Sequence, residues 1–129
     1  MKYLLDTHTF LWYLLGDRNL GLKAKEIIDT KENLHFSIVS LWEIAIKINI
    51  GKLTINRPID GLLAELQYIN AQILSIGFED IELYAKLSFP TNHRDPFDRL
   101  MVAQAMNHGL VLLSRDSAFD AYSIQRLWL

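Results

Sequence analysis

The stretch "DPFDRLMVAQAMNHGLVLLSRD", residues 95–116, decides the fold class. Its first part starts as helices start. Asp95 suits the N-cap, Pro96 the first helical position, and Asp98 the first turn, where a carboxylate complements the helix dipole. An apolar run follows, and Gly109 closes it, the residue most at ease in a left-handed cap. "LVLLSRD" then reads as a buried strand, the most strand-like segment of the chain. A helix running directly into an apolar strand is a repeating unit of α/β sheets.

Working outward, the same alternation recurs. "KYLLD" (residues 2–6) is a short apolar run ending in an acid and reads as a first strand. "THTFLWYLLGD" (7–17) follows at helical spacing, with Phe10, Leu11, Leu14 and Leu15 on one face and Gly16 as its stop. "GLKAKEIIDTKEN" (21–33) predicts a short helix using Leu22, Ile27 and Ile28, and "LHFSIVS" (34–40) a second strand. "SLWEIAIKINIGKL" (40–53) predicts a helix with Trp42, Ala45, Ile46 and Asn49 in line, ended by Gly51. "PIDGLLAELQYIN" (58–70) predicts another helix, with Pro58 favouring its start. "AQILSIG" (71–77) reads as a third strand, "EDIELYAKL" (79–87) as a short amphipathic helix, and "IQRLWL" (124–129) as a last strand. Strands alternating with helices predict a mostly parallel sheet, in which ligands bind beyond the carboxyl ends of the strands.

Composition narrows the function classes. At 129 residues the chain suits one domain, spanning 1–129, with a real core. It has no cysteine, so disulfides and thiolate zinc sites are excluded and a reducing cytoplasm suits it. The formal net charge of −2 argues against a broad basic face for duplex nucleic acid, but leaves room for an acidic site neutralised by bound cations. The apolar N-terminus is interrupted by Asp6 and His8 and lacks a small-residue cleavage site, so it reads as mature protein. No run approaches the ~20 apolar residues of a membrane span.

The chemistry is concentrated in four acids at strand-to-helix junctions: Asp6, Glu43, Asp98 and Asp116. Each has an ordinary reading. Asp6 suits a helix cap. Ser40-Leu41-Trp42-Glu43 matches a capping box. Asp98 suits a dipole partner, and Asp116 a turn or cap residue. Their coincidence at one sheet edge is what carries weight. Carboxylates held close together repel unless a cation intervenes, and hard oxygen ligands select Mg²⁺ or Mn²⁺. Such a site suits phosphodiester cleavage.

"LLDTHTFLWYL", "SIVSLWEIAIKINIGKL", "HRDPFDRLMVAQA" and "LLSRDSAFDAY" together resemble the PIN-domain ribonucleases, specifically VapC-like toxins of bacterial type II toxin–antitoxin modules. The likeness covers nearly the whole chain in the family's motif order. It implies an α/β/α sandwich around a mostly parallel sheet, RNA cleavage with Mg²⁺ or Mn²⁺, a homodimer, and a VapB-like antitoxin. The acidic quartet it implies is Asp6, Glu43, Asp98 and Asp116. Asp98 takes the third place because it directly precedes the apolar run, leaving Asp95 as N-cap or helper. Thr7 and Ser114 match the small hydroxyl residues that support such sites.

Arg99 and Arg115 flank two of the acids and read equally as phosphate ligands or as ion-pair partners. His8 and His93 lack ligand spacing and read as neither ligands nor acid–base groups. Trp12, Tyr13 and Trp42 read more readily as core or dimer contacts than as base-stacking surfaces. Two other classes compete. An aspartyl phosphotransferase wants a second Asp where His8 stands, and a late Lys, yet no Lys follows Lys86. The remaining alternative is a non-catalytic PIN-like scaffold that binds RNA or protein.

Overall fold

Successive leucines of the first strand, β1 (Tyr3–Leu5), face opposite sides of the sheet, as strand geometry requires. Leu4 joins a core with Met101, Val102, Leu112 and Phe119, whereas Leu5 joins one with Phe10, Ile28, Phe36, Ile44 and Leu66. That division gives the molecule its three layers. The computed structural model describes residues 1–89, 93 and 95–128.

In chain order, β1 leads into α1 (Thr7–Leu15) and α2 (Leu22–Asp29). Then come β2 (Leu34–Ser37), α3 (Ile38–Asn49), α4 (Ile59–Tyr68) and β3 (Gln72–Leu74). After these come α5 (Phe78–Lys86), α6 (Pro96–His108), β4 (Val111–Leu113), a 3₁₀ turn (Ser117–Ala121) and β5 (Arg126–Leu127). The sheet order is β3-β2-β1-β4-β5, with every described pairing parallel. Residues of α1, α2, α3 and α4 fill one core, and α6 fills the other with α5 packed on it.

Register is what matters for function. Leu5 pairs with Phe36 on one side and Leu113 on the other. The next residues, Asp6, Ser37 and Ser114, therefore emerge at the same level of the same edge. The N–H of Asp6 donates to the carbonyl of Leu113 at 3.1 Å and holds that level.

The helix stops at Gly16 and Gly109 agree with the sequence. Both lie in the left-handed region, at φ 64° and 63°. No atom lies within 4 Å of where a Cβ would sit at either position, so the demand for glycine comes from backbone conformation alone.

Several boundaries need correction. The second strand ends at Ser37 rather than residue 40, because Ser37 Oγ accepts the Val39 N–H and begins α3 there. Ser40 thus lies inside the helix, and the capping box expected with Glu43 does not form. The line Trp42-Ala45-Asn49 is the outer side of α3; the inner side carries Val39, Ser40, Glu43 and Ile44. Leu15 and Leu22 are exposed rather than core. Pro58 stands at the N-cap of α4, one place earlier than the first helical position. Leu129, the last residue of the expected final strand, lies outside the described residues.

The Ser37 cap is testable. Ser37→Ala removes a buried acceptor of a helix N–H and is expected to lower stability by about 1–2 kcal/mol in urea denaturation.

Candidate active site

Asp6 stands at the N-cap position of α1, yet its carboxyl makes no side-chain cap bond to that helix. It accepts instead from Ser114 Oγ, at 2.7 Å across the sheet edge. Ser114 Oγ also accepts the backbone N–H of Asp116 at 3.1 Å, so one buried hydroxyl ties together the ends of β1 and β4. A second hydroxyl chain joins the other acid-bearing segments. Thr7 Oγ1 donates to Ser40 Oγ at 2.7 Å, and Ser40 Oγ reaches Met101 Sδ of α6 at 3.4 Å.

Within this frame Asp6 lies near enough to Glu43, and Asp98 near enough to Asp6, for their charges to act on one another. Glu43 is buried on α3, with Lys47 Nζ 3.2 Å from its Oε2. Asp98 sits in the first turn of α6, whose cap is Asp95: the Asp95 carboxylate accepts the N–H groups of Phe97 and Asp98 at 2.8 and 3.1 Å. Burial raises the Asp6 carboxyl above its ordinary range, outweighing Ser114, His8 and the Thr7 N–H; the charge of Glu43 adds to the rise. Burial likewise pushes Asp98 up to about 7, against the hydrogen bond from His93 and with added repulsion from Asp6 and Asp95. Asp116 is exposed. It caps the 3₁₀ turn through the Ala118 N–H at 2.9 Å, and lines a cavity of about 400 Å³ together with Asp6.

Hard oxygen donors at this edge, two of them driven toward protonation by burial, fit a divalent cation such as Mg²⁺ in kind. Among the described residues, no three acids or histidines are already gathered in a group able to hold an ion.

Two cationic and aromatic assignments change. Arg99 is not placed to bind substrate. It is 1% exposed, and its Nη1 donates to Ser88 O and Tyr122 Oη at 2.9 and 3.0 Å. Its Nη2 donates to Leu87 O at 3.3 Å, and the guanidinium stacks on Phe89. Arg115, by contrast, is exposed on the wall of the Asp6 cavity and donates to Asn19 Oδ1 at 2.9 Å. Among the described residues no carboxylate pairs with it.

His93, which sequence spacing set aside, is buried against the third acid. Its Nε2 lies 3.0 Å from Asp98 Oδ2 and its Nδ1 2.8 Å from Tyr122 Oη. Arg99 can only donate, so the Tyr122 proton is left for His93 Nδ1, and Nε2–H then donates to ionised Asp98. The chain Arg99–Tyr122–His93–Asp98 orients that carboxylate. A histidine near a helix start carries no sequence signal for this, because its other partner lies 29 residues away.

Two measurements check this arrangement. Tyr122→Phe leaves His93 Nδ1 without its donor and Arg99 with one acceptor fewer, and is expected to cost about 1–2 kcal/mol in chemical denaturation. Asp98 binds its proton more tightly folded than unfolded, where the ordinary value of 3.8 applies. Its contribution to stability is therefore greatest at low pH and is lost as pH rises from about 4 through about 7. Asp98→Asn in the metal-free protein is expected to be the more stable form at pH 8, by on the order of 1–2 kcal/mol, with the gap closing toward pH 4. Thermal melts across that range read both.

The profile of the PIN domain matches residues 3–125. Ribonuclease VapC22 of Mycobacterium tuberculosis is 25% identical over 114 residues, which cover 88% of this chain and 85% of that protein. Among solved structures, FitAB bound to the IR36 DNA fragment matches with a TM-score of 0.70 at 17% identity, covering 97% of this chain and 93% of the other. A toxin–antitoxin complex from Klebsiella pneumoniae matches with a TM-score of 0.68 at 19% identity, covering 98% and 97%. The profile spans nearly the whole chain, and the acid-bearing edge lies within it: this protein belongs to the PIN domain family.

Proposed function

We propose that this protein is a metal-dependent endoribonuclease, the toxin of a type II toxin–antitoxin module. The observation that carries the reading is the electrostatic strain at the sheet edge, where burial drives Asp6 and Asp98 toward protonation, with added repulsion from Glu43 on Asp6 and from Asp6 and Asp95 on Asp98. Among the described residues no lysine or arginine pairs with Asp6 or Asp98, and a site that concentrates negative charge in this way suits a cation. Asp6, Glu43, Asp98 and Asp116 would hold Mg²⁺ or Mn²⁺. Such an ion supplies positive charge to the phosphoryl oxygens and lowers the pKa of water.

The chain's own groups do the rest. Ser114 and the Thr7–Ser40 pair hold Asp6 and the α3 and α6 segments in place. His93 fixes Asp98. Arg115 at the cavity wall supplies a guanidinium fork for a substrate phosphate. In the reaction, a water oxygen bonds to phosphorus as the bond to the 3′ oxygen breaks. One proton of the water ends on that leaving oxygen, giving a 3′-hydroxyl and a 5′-phosphate.

The resemblance to Ribonuclease VapC22, and to a toxin–antitoxin complex in fold, supports RNA as substrate and a VapB-like antitoxin as partner. A second copy of the chain completes the assembly. The exposed apolar patch around Trp42 and Ile81, beside a cavity of about 310 Å³ that also includes Tyr84 and Phe97, suits such a contact. No helix among the described residues is long and apolar enough to cross a membrane, and we assign the protein to the cytoplasm.

The test is cleavage of RNA by the purified protein with Mg²⁺ or Mn²⁺ and with chelator. Cleavage is expected only with metal. Asp6→Asn and Asp98→Asn are each expected to lower kcat by about 10²-fold or more while remaining folded. Asp95→Asn keeps a good cap and is expected to retain activity. Undiminished cleavage by either of the first two variants would remove that residue from the site. No metal-dependent cleavage of any RNA would return the chain to the scaffold reading.

A further inference from the structure

The Asp6 cavity has a second character that the acids do not explain. Its walls are Asp6, His8, Trp12, Arg115, Asp116 and Ser117. His8 and Trp12 are one helical turn apart on α1, the helix that begins immediately after Asp6, so both rings lie on the acid side of that helix. Their ring centroids are 5.8 Å apart. Trp128, the residue just past β5, meets the Trp12 ring at its edge, with centroids 6.1 Å apart, and steadies the indole. Arg115 Cζ lies 5.9 Å from the same ring, its guanidinium anchored to Asn19. Trp12 is only partly buried and stands outside both apolar cores, so packing alone does not account for it.

Resting on the ribonuclease reading above, we infer that this cavity is a nucleobase subsite: the base beside the scissile phosphate leaves its stack and seats on Trp12 and His8, while Arg115 holds the adjoining phosphate. The volume, about 400 Å³, falls within the roughly 300–1,000 Å³ of small-ligand sites. The chemistry is that of single-stranded RNA readers, in which an aromatic face takes an unstacked base and a cation tracks the backbone. A protein segment is the rival occupant. RNA is favoured because the aromatic wall and two of the proposed metal-binding acids line one space, so whatever fills it lies against the reacting phosphate. The subsite requires an unpaired base at the cut and disfavours cleavage inside a duplex.

The experiment uses a short single-stranded RNA and the same RNA with an abasic ribose on either side of the cleaved bond. For the unaltered protein, one of the two abasic positions is expected to lower kcat/KM by about tenfold or more, the worth of one base–aromatic stack. Trp12→Ala is expected to lose a similar factor on intact RNA and to show no further abasic penalty; Trp12→Phe is expected to recover most of the loss. An arm independent of cleavage places 2-aminopurine at the flanking position and binds the RNA to Asp98→Asn protein with Mg²⁺. Its fluorescence is expected to be quenched, and quenching is expected to disappear when Trp12→Ala is added. His8→Ala, at an exposed position, serves as the second variant should Trp12→Ala fail to fold.

An abasic penalty that persists in Trp12→Ala, or is missing at both flanks, overturns the subsite while leaving the nuclease reading intact. RNA that binds with an unquenched base does the same. RNA that neither binds nor is cut overturns both. Unaltered RNA kinetics in Trp12→Ala, with weakened inhibition by the small partner protein, would make the cavity a protein contact and also overturn the subsite.

Discussion

Everything at the candidate site depends on the register of β1 between β2 and β4. A slip of β1 by one residue would move Leu4 and Leu5 into each other's cores. The two cores are unequal: Leu5 packs against Phe10 and Phe36, whose rings touch at 4.7 Å, whereas Leu4 packs among Met101, Val102 and Phe119. The buried leucines therefore set the level of the strand, and the level brings Asp6 to the hydroxyl of Ser114. Hydrophobic packing does the positioning, and the polar contacts follow from it.

That order of causes explains what the sequence revealed and what it hid. Alternation of apolar strands with helices is a local signal, so the order of elements and the parallel sheet could be read directly. The stops at Gly16 and Gly109, and the start at Asp95-Pro96, are local too. The beginning of α3 was misread because "SIVS" is β-branched and apolar; only the cap bond from the Val39 N–H to Ser37 shows that the helix has begun. In the sequence Glu43 stands out by its place at a strand-to-helix junction, and its ordinary reading, a capping box with Ser40, does not exist in the fold because α3 begins at Ser37. Its place near Asp6 comes from the inner side of α3, which sequence alone had drawn through Trp42 instead.

Arg99 and His93 show the same limit from the other direction. From sequence, Arg99 is an arginine next to an acid, and a phosphate contact and an ion pair are equally natural readings. In the fold it is buried, and its Nη1 and Nη2 donate to the carbonyls of Ser88 and Leu87. A buried guanidinium needs such partners, and removing one leaves a charged donor stranded at a cost of about 1–3 kcal/mol. The segment after α5 is thereby pinned to the start of α6, and the same arginine, through Tyr122, favours the His93 tautomer whose Nε2 carries the proton toward Asp98. The partner residues are 11, 12 and 23 positions away, beyond the reach of any periodicity argument.

The character of those contacts bears on how such a site can be both ordered and reactive. Four acids at one edge require something to hold them in place. Lysine or arginine at Asp6 would do so most strongly, but would also cancel the charge that attracts a cation and would have to be displaced by it. Asp6 is held by a serine hydroxyl and Asp98 by an imidazole N–H, each giving direction without a fixed positive charge while the imidazole stays neutral. Glu43 alone has an ammonium beside it, and Lys47 is the partly exposed member of that pair, free to swing toward solvent. Donors without a fixed positive charge at these two carboxyls therefore leave their burial and the repulsion between neighbouring acids uncompensated, which is the condition the proposed cation site calls for.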